Sequence, residues 1–387
     1  EMDLKHTFID KLHALCQECN PSPALSPKML MFNESLARDM GLEYLTQNSN
    51  ECLDLLSGNK IYKGSRPMAM AYSGHQFGRF NPQLGDGRAH LLGEIIDKEG
   101  NLKDIQLKGS GRTPFSRRGD GKSALGPVLR EYLISESMHV LGIPTTRSLA
   151  AIHTGEKVFR EEESFGGIMT RVASSHLRIG SFEYAYKNKD ISMVKDLADY
   201  SISRHYPEIA SVDNSYLAFF AAVCNQQASL IASWMTVGFI HGVMNTDNMT
   251  ISGETIDYGP CAFMDAYNPS TVFSSIDVNG RYAYSNQPAI LTWNLTRLAE
   301  TLIPLINKDK DESIKLLTEV LQLIKPVYTN YWLSMMRSKI GLSKEEKSDI
   351  ELIANLFEIM EEEKTDFTLS FRFLSKSLIG DSQTVRA

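Results

Sequence analysis

Hard oxygen ligands of the kind that divalent metals prefer are grouped in the second half of the chain. Asp247 and Asn248 are adjacent, and Asp257 follows after a short segment that reads as a hairpin. A hairpin would bring these carboxylate and amide oxygens together, where they suit Mg²⁺ or Mn²⁺ bound beside phosphate oxygens. The sequence therefore predicts metal-assisted phosphate chemistry, with Asn248 and Asp257 as metal ligands.

The same segment parallels the catalytic loop of protein kinases, and Asp257-Tyr258-Gly259 parallels their metal-binding Asp-Phe-Gly. If His241 and Asn248 align with the ends of His-Arg-Asp-x-x-x-x-Asn, Val243 stands where a kinase has its catalytic aspartate. Phosphoryl transfer by that aspartate is then excluded, while Asp247 remains as a candidate base. Taken singly, each of these acids could also be a turn cap or a hairpin residue.

A second kinase-like feature pairs a strand with a helix. Lys108 ends a predicted strand, and Glu131 lies in the first turns of a helix that Pro127 opens. Protein kinases use such a lysine–glutamate ion pair to fix the phosphates of a nucleotide. A solvated strand lysine and a glutamate near a helix N-terminus are equally ordinary.

Two glycine-rich segments could approach the phosphates. Gly85 and Gly87 in the segment before Arg88 would let backbone N–H groups come close to an anion, although Gly-x-Gly is also common in ordinary turns. The segment 109–122 crowds four basic residues into a glycine-rich loop, as a triphosphate would require, or as a solvated surface loop could show. Arg171 and Arg178 could clamp a phosphate, or they could be surface arginines in salt bridges.

Composition indicates a folded protein without a global basic field. The chain has 387 residues, 42% of them hydrophobic, a net charge of -7 and a pI of about 5.8. This predicts a large core and argues against nucleic acid or an anionic membrane as partner. The apolar stretch 216–240 is interrupted by Asn225, Gln226 and Gln227, which favours a buried core helix over a membrane span.

The N-terminus has no signal-peptide layout, and five irregularly spaced cysteines suit a reducing compartment, so a cytoplasmic location is expected. Cys16 and Cys19, with His13, could form half of a zinc site. Since no second cluster completes such a site, helix-borne thiols are the favoured interpretation.

The hydrophobic periodicity of the sequence predicts a β-rich part followed by a helical part, which is an α+β fold. A hairpin is expected over 88–108, a helix from Pro127 to Leu141, and strands over 146–153 and 167–172. Further helices are expected over 194–205, 216–240, 288–306, 312–323, 327–340 and 344–363. A cleft between a small β-rich lobe and a larger α-helical lobe is the expected ligand site.

Several motifs together resemble the selenoprotein O family, known in bacteria as the YdiU proteins. They are Tyr72-Ser73-Gly74-His75-Gln76-Phe77-Gly78, Leu84-Gly85-Asp86-Gly87-Arg88, residues 121–131, Ser175-His176-Leu177-Arg178, and His241 to Asn248 with Asp257-Tyr258-Gly259-Pro260. The resemblance implies a protein-kinase-like, bilobal pseudokinase that binds ATP in a flipped orientation and transfers AMP to Ser, Thr or Tyr of proteins. Transfer of UMP from UTP with Mn²⁺ is also associated with bacterial members.

The resemblance also implies roles for individual residues. Asp247 would be the general base, and Asn248 and Asp257 would bind Mg²⁺ or Mn²⁺. The nucleotide would be bound by Gly85, Gly87, Arg88, Lys108, Asp120, Gly121, Glu131, Arg171 and Arg178. The implied divisions are an N-terminal extension over 1–60, an N-lobe over 61–172 and a C-lobe over 173–387, in a monomer of the bacterial cytoplasm.

Members of the family run on beyond the equivalent of Ala387 and often end in cysteine or selenocysteine, so a C-terminal region is expected to be missing here. Two other functions remain open. A true kinase would need Asp247 in place of the missing aspartate, and a non-catalytic scaffold would not need Lys108, Glu131, Asn248 and Asp257 together.

Overall fold

A computed structural model describes residues 2–377 and 380 of the chain. The strands found there are β1 (Cys16–Glu18), β2 (Lys28–Phe32), β3 (Met68–Met70), β4 (Gly74–Gln76), β5 (Arg79–Asn81), β6 (Ala89–Ile96), β7 (Leu102–Lys108), β8 (Ser123–Ala124), β9 (Arg147–Phe159), β10 (Glu163–Ala173), β11 (Phe239–Ile240) and β12 (Ala262–Phe263). The helices are α1 (Thr7–Lys11), α2 (Glu34–Asp39), α3 (Asn50–Leu56), α4 (Leu125–Val140), α5 (Ile179–Lys187), α6 (Ile191–His205), α7 (Ser215–Val237), α8 (Gln287–Ile306), α9 (Lys310–Ile340), α10 (Asp349–Glu362) and α11 (Phe367–Ser377). The predicted α+β class is confirmed.

The chain folds into two compact units. Unit 1 contains the chain up to Phe219, with Asn245–Tyr258 and Arg297–Ser313. Unit 2 contains Phe220–Met244, Gly259–Thr296 and the described chain from Ile314 onward. The divisions expected from the sequence, after residues 60 and 172, stay a prediction.

Unit 1 is built on an eight-stranded antiparallel sheet. The order of seven strands is β1-β3-β6-β7-β10-β9-β2, and the eighth, β8, pairs with Gly166 and Gly167 of β10. A hydrophobic core that includes Leu36, Leu56, Ile105, Leu107 and Ile152 covers one face. The polar residues of the candidate site lie among these strands and the segments that join them.

The predicted hairpin over 88–108 is confirmed as β6 and β7. The Asp97 side chain accepts hydrogen bonds from the backbone N–H groups of Glu99 and Asn101, which closes the turn. Strand alternation then separates the two faces of β7. Ile105 and Leu107 are fully buried in the core, and Lys108 points to the opposite face.

Helix α4 carries Glu131 to the sheet. Val128 and Tyr132 pack against Ala151 of β9 and Met169 of β10. The helix begins at Leu125, slightly before the predicted start at Pro127, which occupies the first turn. Proline is tolerated there because the first N–H groups of a helix have no intrahelical partner.

Some element boundaries differ from those predicted. Residues 312–323 and 327–340 were expected to form two helices, but α9 continues through Pro326. Leu317, Ile324 and Met336 are buried on both sides of that proline. This burial outweighs the cost of an interior proline, which is about 3 kcal/mol.

Strands β9 and β10 are longer than predicted, because they pair with each other out to Phe159 and Glu163. Unit 2 is mainly helical, with an aromatic core in which Phe357 and Phe367 stack and Phe371 packs edge-on against Phe367. No helix in the described part of the chain is long and apolar enough to cross a membrane.

Candidate active site

Most of the predicted site residues line a single cavity of about 760 Å³ within unit 1. Those at its wall are Gly85, Gly87, Arg88, Lys108, Asp120, Gly121, Arg171, Arg178, Asp247 and Asp257. The two others, Glu131 and Asn248, lie behind the wall and hydrogen-bond residues that form it. The structure thus brings together residues that are widely separated in the sequence.

The predicted ion pair is present. Lys108 Nζ lies 2.9 Å from Glu131 Oε2 and 3.3 Å from Asp257 Oδ1. Strand β7 places the lysine at its end, and α4 presents the glutamate from a buried position. The pair therefore links the sheet, the helix and the segment that carries Asp257.

Arg171 is held from several sides. It is only 1% exposed, and its Nη1 atom lies 2.7 Å from Asp257 Oδ1 and 3.1 Å from Glu131 Oε1. Gln106, its neighbour across β7 and β10, accepts hydrogen bonds from Nε and Nη2. Arg171 therefore acts as a buried bridge between the two carboxylates as well as lining the cavity.

Arg178 forms the other side of the cation cluster. Its Nη1 atom lies 2.6 Å from Asp257 Oδ2 and donates to the backbone carbonyl of Asp247 at 2.8 Å. Its guanidinium group lies 4.5 Å from the centre of the Tyr72 ring, within cation–π distance. Buried Asp86 lies at a longer distance, 3.9 Å from Nη2.

Asp257 is the centre of this arrangement. Burial by itself would raise the pKa of its carboxyl group, but the charges of Arg178, Lys108 and Arg171 outweigh burial and hold that pKa well below its usual range. Its backbone has φ 61°, in the left-handed region that few residues other than glycine adopt. Strained backbone of this kind is typical of functional sites.

Asn248, the predicted metal ligand, and its neighbour Asp247 both have buried side-chain oxygens. Within the described residues, Asp247 Oδ1 and Asn248 Oδ1 are buried and have no hydrogen-bond partner, while Asn248 Nδ2 donates to Asp257 Oδ2. Unpartnered buried oxygens carry a large desolvation cost, which a bound cation would remove. Burial also raises the pKa of Asp247 to about 7. The donor set therefore fits Mg²⁺ or Mn²⁺.

The glycines of the cavity wall are required by close packing. Gly85 has φ 122°, and a Cβ atom there would lie 2.6 Å from the Phe115 ring. Gly121 has φ 71°, and a Cβ atom there would overlap the backbone of Gly111. Gly111 N–H donates to the Gly121 carbonyl, so the two ends of the basic loop are tied together.

Asp120 is part of the cavity rim. Both Nη atoms of Arg160 bind its carboxylate, at 3.1 and 3.0 Å, and the backbone N–H of Lys122 donates to it. These contacts hold the pKa of Asp120 below its usual range, with Arg160 as the main cause. Asp120 therefore helps to fix the loop, and both Asp120 and Gly121 line the cavity.

Several residues of the cavity were not predicted individually as site residues. They are Tyr72, Asp86, Phe159 and Arg160, and Gln106 supports Arg171 from behind. Tyr72 and Asp86 lie inside motifs that were recognised, so a signal for them existed. Phe159 and Arg160 reach the cavity only because β9 and β10 extend further than predicted.

The cavity, with its cation cluster, metal-type ligands and glycine-rich wall, has the features of a nucleotide-binding site. Comparison with known proteins agrees. Residues 2–385 match the family described as protein adenylyltransferase SelO. The chain belongs to this family and is a nucleotidyltransferase.

Bacterial relatives named protein nucleotidyltransferase YdiU cover nearly all of the chain. One from Rhizobium rhizogenes is 57% identical over 354 residues, which is 92% of this chain and 70% of the relative. One from Bacillus cytotoxicus is 56% identical over 355 residues, which is 92% of this chain and 72% of the relative.

Among solved structures, the Toxoplasma gondii specific rhoptry antigen kinase domain is similar over 70% of this chain and 83% of its own. The sequence identity is 9% and the TM-score 0.34, a similarity too low to support any conclusion about this chain.

Substitution of Gly121 by alanine tests the packing of the cavity wall. Gly121→Ala should weaken ATP binding by about tenfold or more, because the new Cβ atom forces the loop away from Gly111. Gly126→Ala, where a Cβ atom meets nothing within 4 Å, is the matched control and should bind ATP normally. The measurement is the ATP-induced shift in melting temperature, and equal shifts for both variants would contradict the prediction.

Proposed function

We propose that the chain transfers AMP from ATP to Ser, Thr or Tyr hydroxyl groups of proteins, with ATP bound in the flipped orientation. The observation that carries this proposal is the convergence of Lys108, Arg171 and Arg178 on Asp257, beside the unpartnered oxygens of Asp247 and Asn248. Family membership indicates nucleotidyl transfer. The residues just named provide the cationic groups and metal-binding oxygens that such a reaction needs at the α-phosphate.

In the proposed reaction, the substrate hydroxyl oxygen bonds to the α-phosphorus while the bond to the β-phosphate oxygen breaks. Pyrophosphate leaves with the bonding electrons, and the hydroxyl proton passes to the Asp247 carboxylate. Lys108, Arg171 and Arg178 hold the phosphates and stabilise the charge that develops on them.

Asn248 and Asp257, with Asp247 close by, would hold Mg²⁺ or Mn²⁺. When bound, the ion neutralises phosphate charge and helps to align the reacting groups. The chain's own contribution is to fix these oxygens. Asn248 Nδ2 and Arg178 Nη1 both bind Asp257 Oδ2, which orients the carboxylate before any ligand arrives.

UMP transfer from UTP would use the same groups, because none of the contacts described at the phosphate end depends on the base. Val243 in the position of the kinase aspartate argues against γ-phosphoryl transfer by the ordinary kinase route. Arg88 and the basic loop remain proposed contacts for the rest of the triphosphate.

Labelled nucleotides test the reaction directly. The protein, Mg²⁺ or Mn²⁺ and a generic acceptor protein are incubated with ATP labelled at the α-phosphate or at the γ-phosphate. We expect the acceptor to carry label from the α position alone. Label from the γ position alone would establish a kinase, and no label from either would favour a scaffold.

Asp257→Asn tests the metal ligand. Asparagine tolerates the left-handed backbone at this position but removes the charge that pairs three cations, so the variant should melt at a lower temperature and lose metal-dependent ATP binding and transfer. Asp213→Asn changes an exposed aspartate by the same charge and serves as control. Metal titration of ATP binding is the measurement, and undiminished transfer by Asp257→Asn would refute the assignment.

Asp247→Asn tests the base. The variant should bind ATP with nearly unchanged affinity, yet turn over about a hundredfold more slowly or worse, since it loses a proton acceptor and keeps its shape. Equilibrium binding and single-turnover transfer are compared. An equal loss in binding and rate would reassign Asp247 as a ligand of the metal or nucleotide.

A further inference from the structure

A chain of buried polar groups leads to Arg171 from the side away from the cavity. Asp104 and His176 are fully buried, and Arg171 is 1% exposed. His176 Nδ1 lies 2.8 Å from Asp104 Oδ2, and Arg171 Nε lies 3.2 Å from His176 Nε2. Neither Asp104 nor His176 lines the cavity, and neither has a role in the reaction described above.

The donor and acceptor roles in this chain follow from chemistry. An arginine Nε–H can only donate, so His176 Nε2 must accept and carries no proton. The remaining ring proton then lies on Nδ1, where it donates to Asp104. His176 is therefore a neutral imidazole of defined tautomer. Its environment is consistent with this, because burial lowers the pKa of His176.

Asp104 is itself fixed. Arg204 Nη2 lies 2.7 Å from Asp104 Oδ1, and the backbone N–H of His176 donates to Asp104 Oδ2 at 3.0 Å. The buried carboxylate is thus paired with a charge and hydrogen-bonded at both oxygens, as a charge removed from water must be. Helix α6, which carries Arg204, thereby helps to set the position of the imidazole, which lies on the segment between β10 and α5.

We propose that His176 is a positioning residue that, oriented by Asp104, accepts the Nε–H of Arg171 and sets the guanidinium plane that presents Nη1 to Asp257 and Glu131. Gln106 shares the same Nε–H at 3.2 Å and holds Nη2 at 2.8 Å, so the guanidinium is fixed along its inner edge by two acceptors. The effect of this Arg171 positioning on nucleotide transfer rests on the proposed function.

The competing explanation is that the network only stabilises unit 1, by joining β7, β10 and α6. Two substitutions of His176 separate the explanations, since each preserves one half of its hydrogen bonding. Asparagine places an N–H group near the Nδ1 position and keeps the bond to Asp104, but it has no acceptor for Arg171. Glutamine places an oxygen near the Nε2 position and keeps the acceptor, but it loses the bond to Asp104.

Positioning predicts opposite orders for stability and activity. His176→Asn should melt at the higher temperature of the two variants, because Asp104 stays satisfied, yet kcat/KM for nucleotide transfer should fall about tenfold below that of His176→Gln. A purely structural role predicts that activity follows stability. Activity of His176→Asn equal to that of the parent, or the same order in both measurements, would overturn the proposal.

A double-mutant cycle of activity measurements, which combines Arg171→Lys with His176→Asn, tests the proposal independently if one of the His176 variants folds poorly. Arg171→Lys keeps the positive charge but has no Nε–H to give, so His176→Asn should cost little further activity in that background. Additive losses would overturn the proposal. His205→Asn, a change at a half-buried histidine that bonds Ser175 and not Arg171, is the control and should lower stability while leaving kcat/KM unchanged.

The ATP-induced shift in melting temperature distinguishes this proposal from the proposed function. If the parent protein transfers no label from the α-phosphate, the proposed function fails. The shift still reports the cation cluster, and a smaller shift for His176→Asn than for His176→Gln would support the positioning role. Equal shifts in that case would overturn it.

Discussion

The pairing of Asp257 with three cations is the interaction on which the site depends. Lys108, Arg171 and Arg178 reach this carboxylate from β7, from β10 and from the start of α5. Each cation is poorly exposed to water and needs the carboxylate as much as the carboxylate needs the cations, because charges removed from water without a partner are costly. The strained backbone of Asp257 persists because these contacts over-determine its position.

The sheet makes this convergence possible. In the register of β7 and β10, Gln106 lies opposite Arg171, and Lys108 ends the strand at the cavity. The alternate residues Ile105 and Leu107 enter the core, so burial of one face fixes the orientation of the other. Helix α4 adds Glu131 because its buried stripe faces β9 and β10. Core packing and site geometry are therefore two consequences of one strand register.

Elements with strong local signals were predicted well, and those decided by packing were not. The β6–β7 hairpin has clean alternation and an aspartate turn, and it was placed almost to the residue. Pro326 predicted a break that α9 does not have, because buried side chains on both sides stabilise the helix. Strands β9 and β10 extend toward the cavity because they pair with each other. The strand propensities of individual residues do not predict such pairing.

The sequence by itself determined the chemistry available: the kinds of residue in each motif, their kinase-like order, and the valine where a kinase aspartate would stand. It also indicated the family, because the order of the motifs and the residue types within them can be read from the sequence alone. Only the tertiary structure decided which groups meet. Arg171 is predicted to hold phosphates, and the fold shows in addition that it is a buried bridge between Asp257 and Glu131, held by Gln106 and His176. Contacts of this kind join segments far apart in the chain, and their geometry is set by register and burial, which local sequence does not encode.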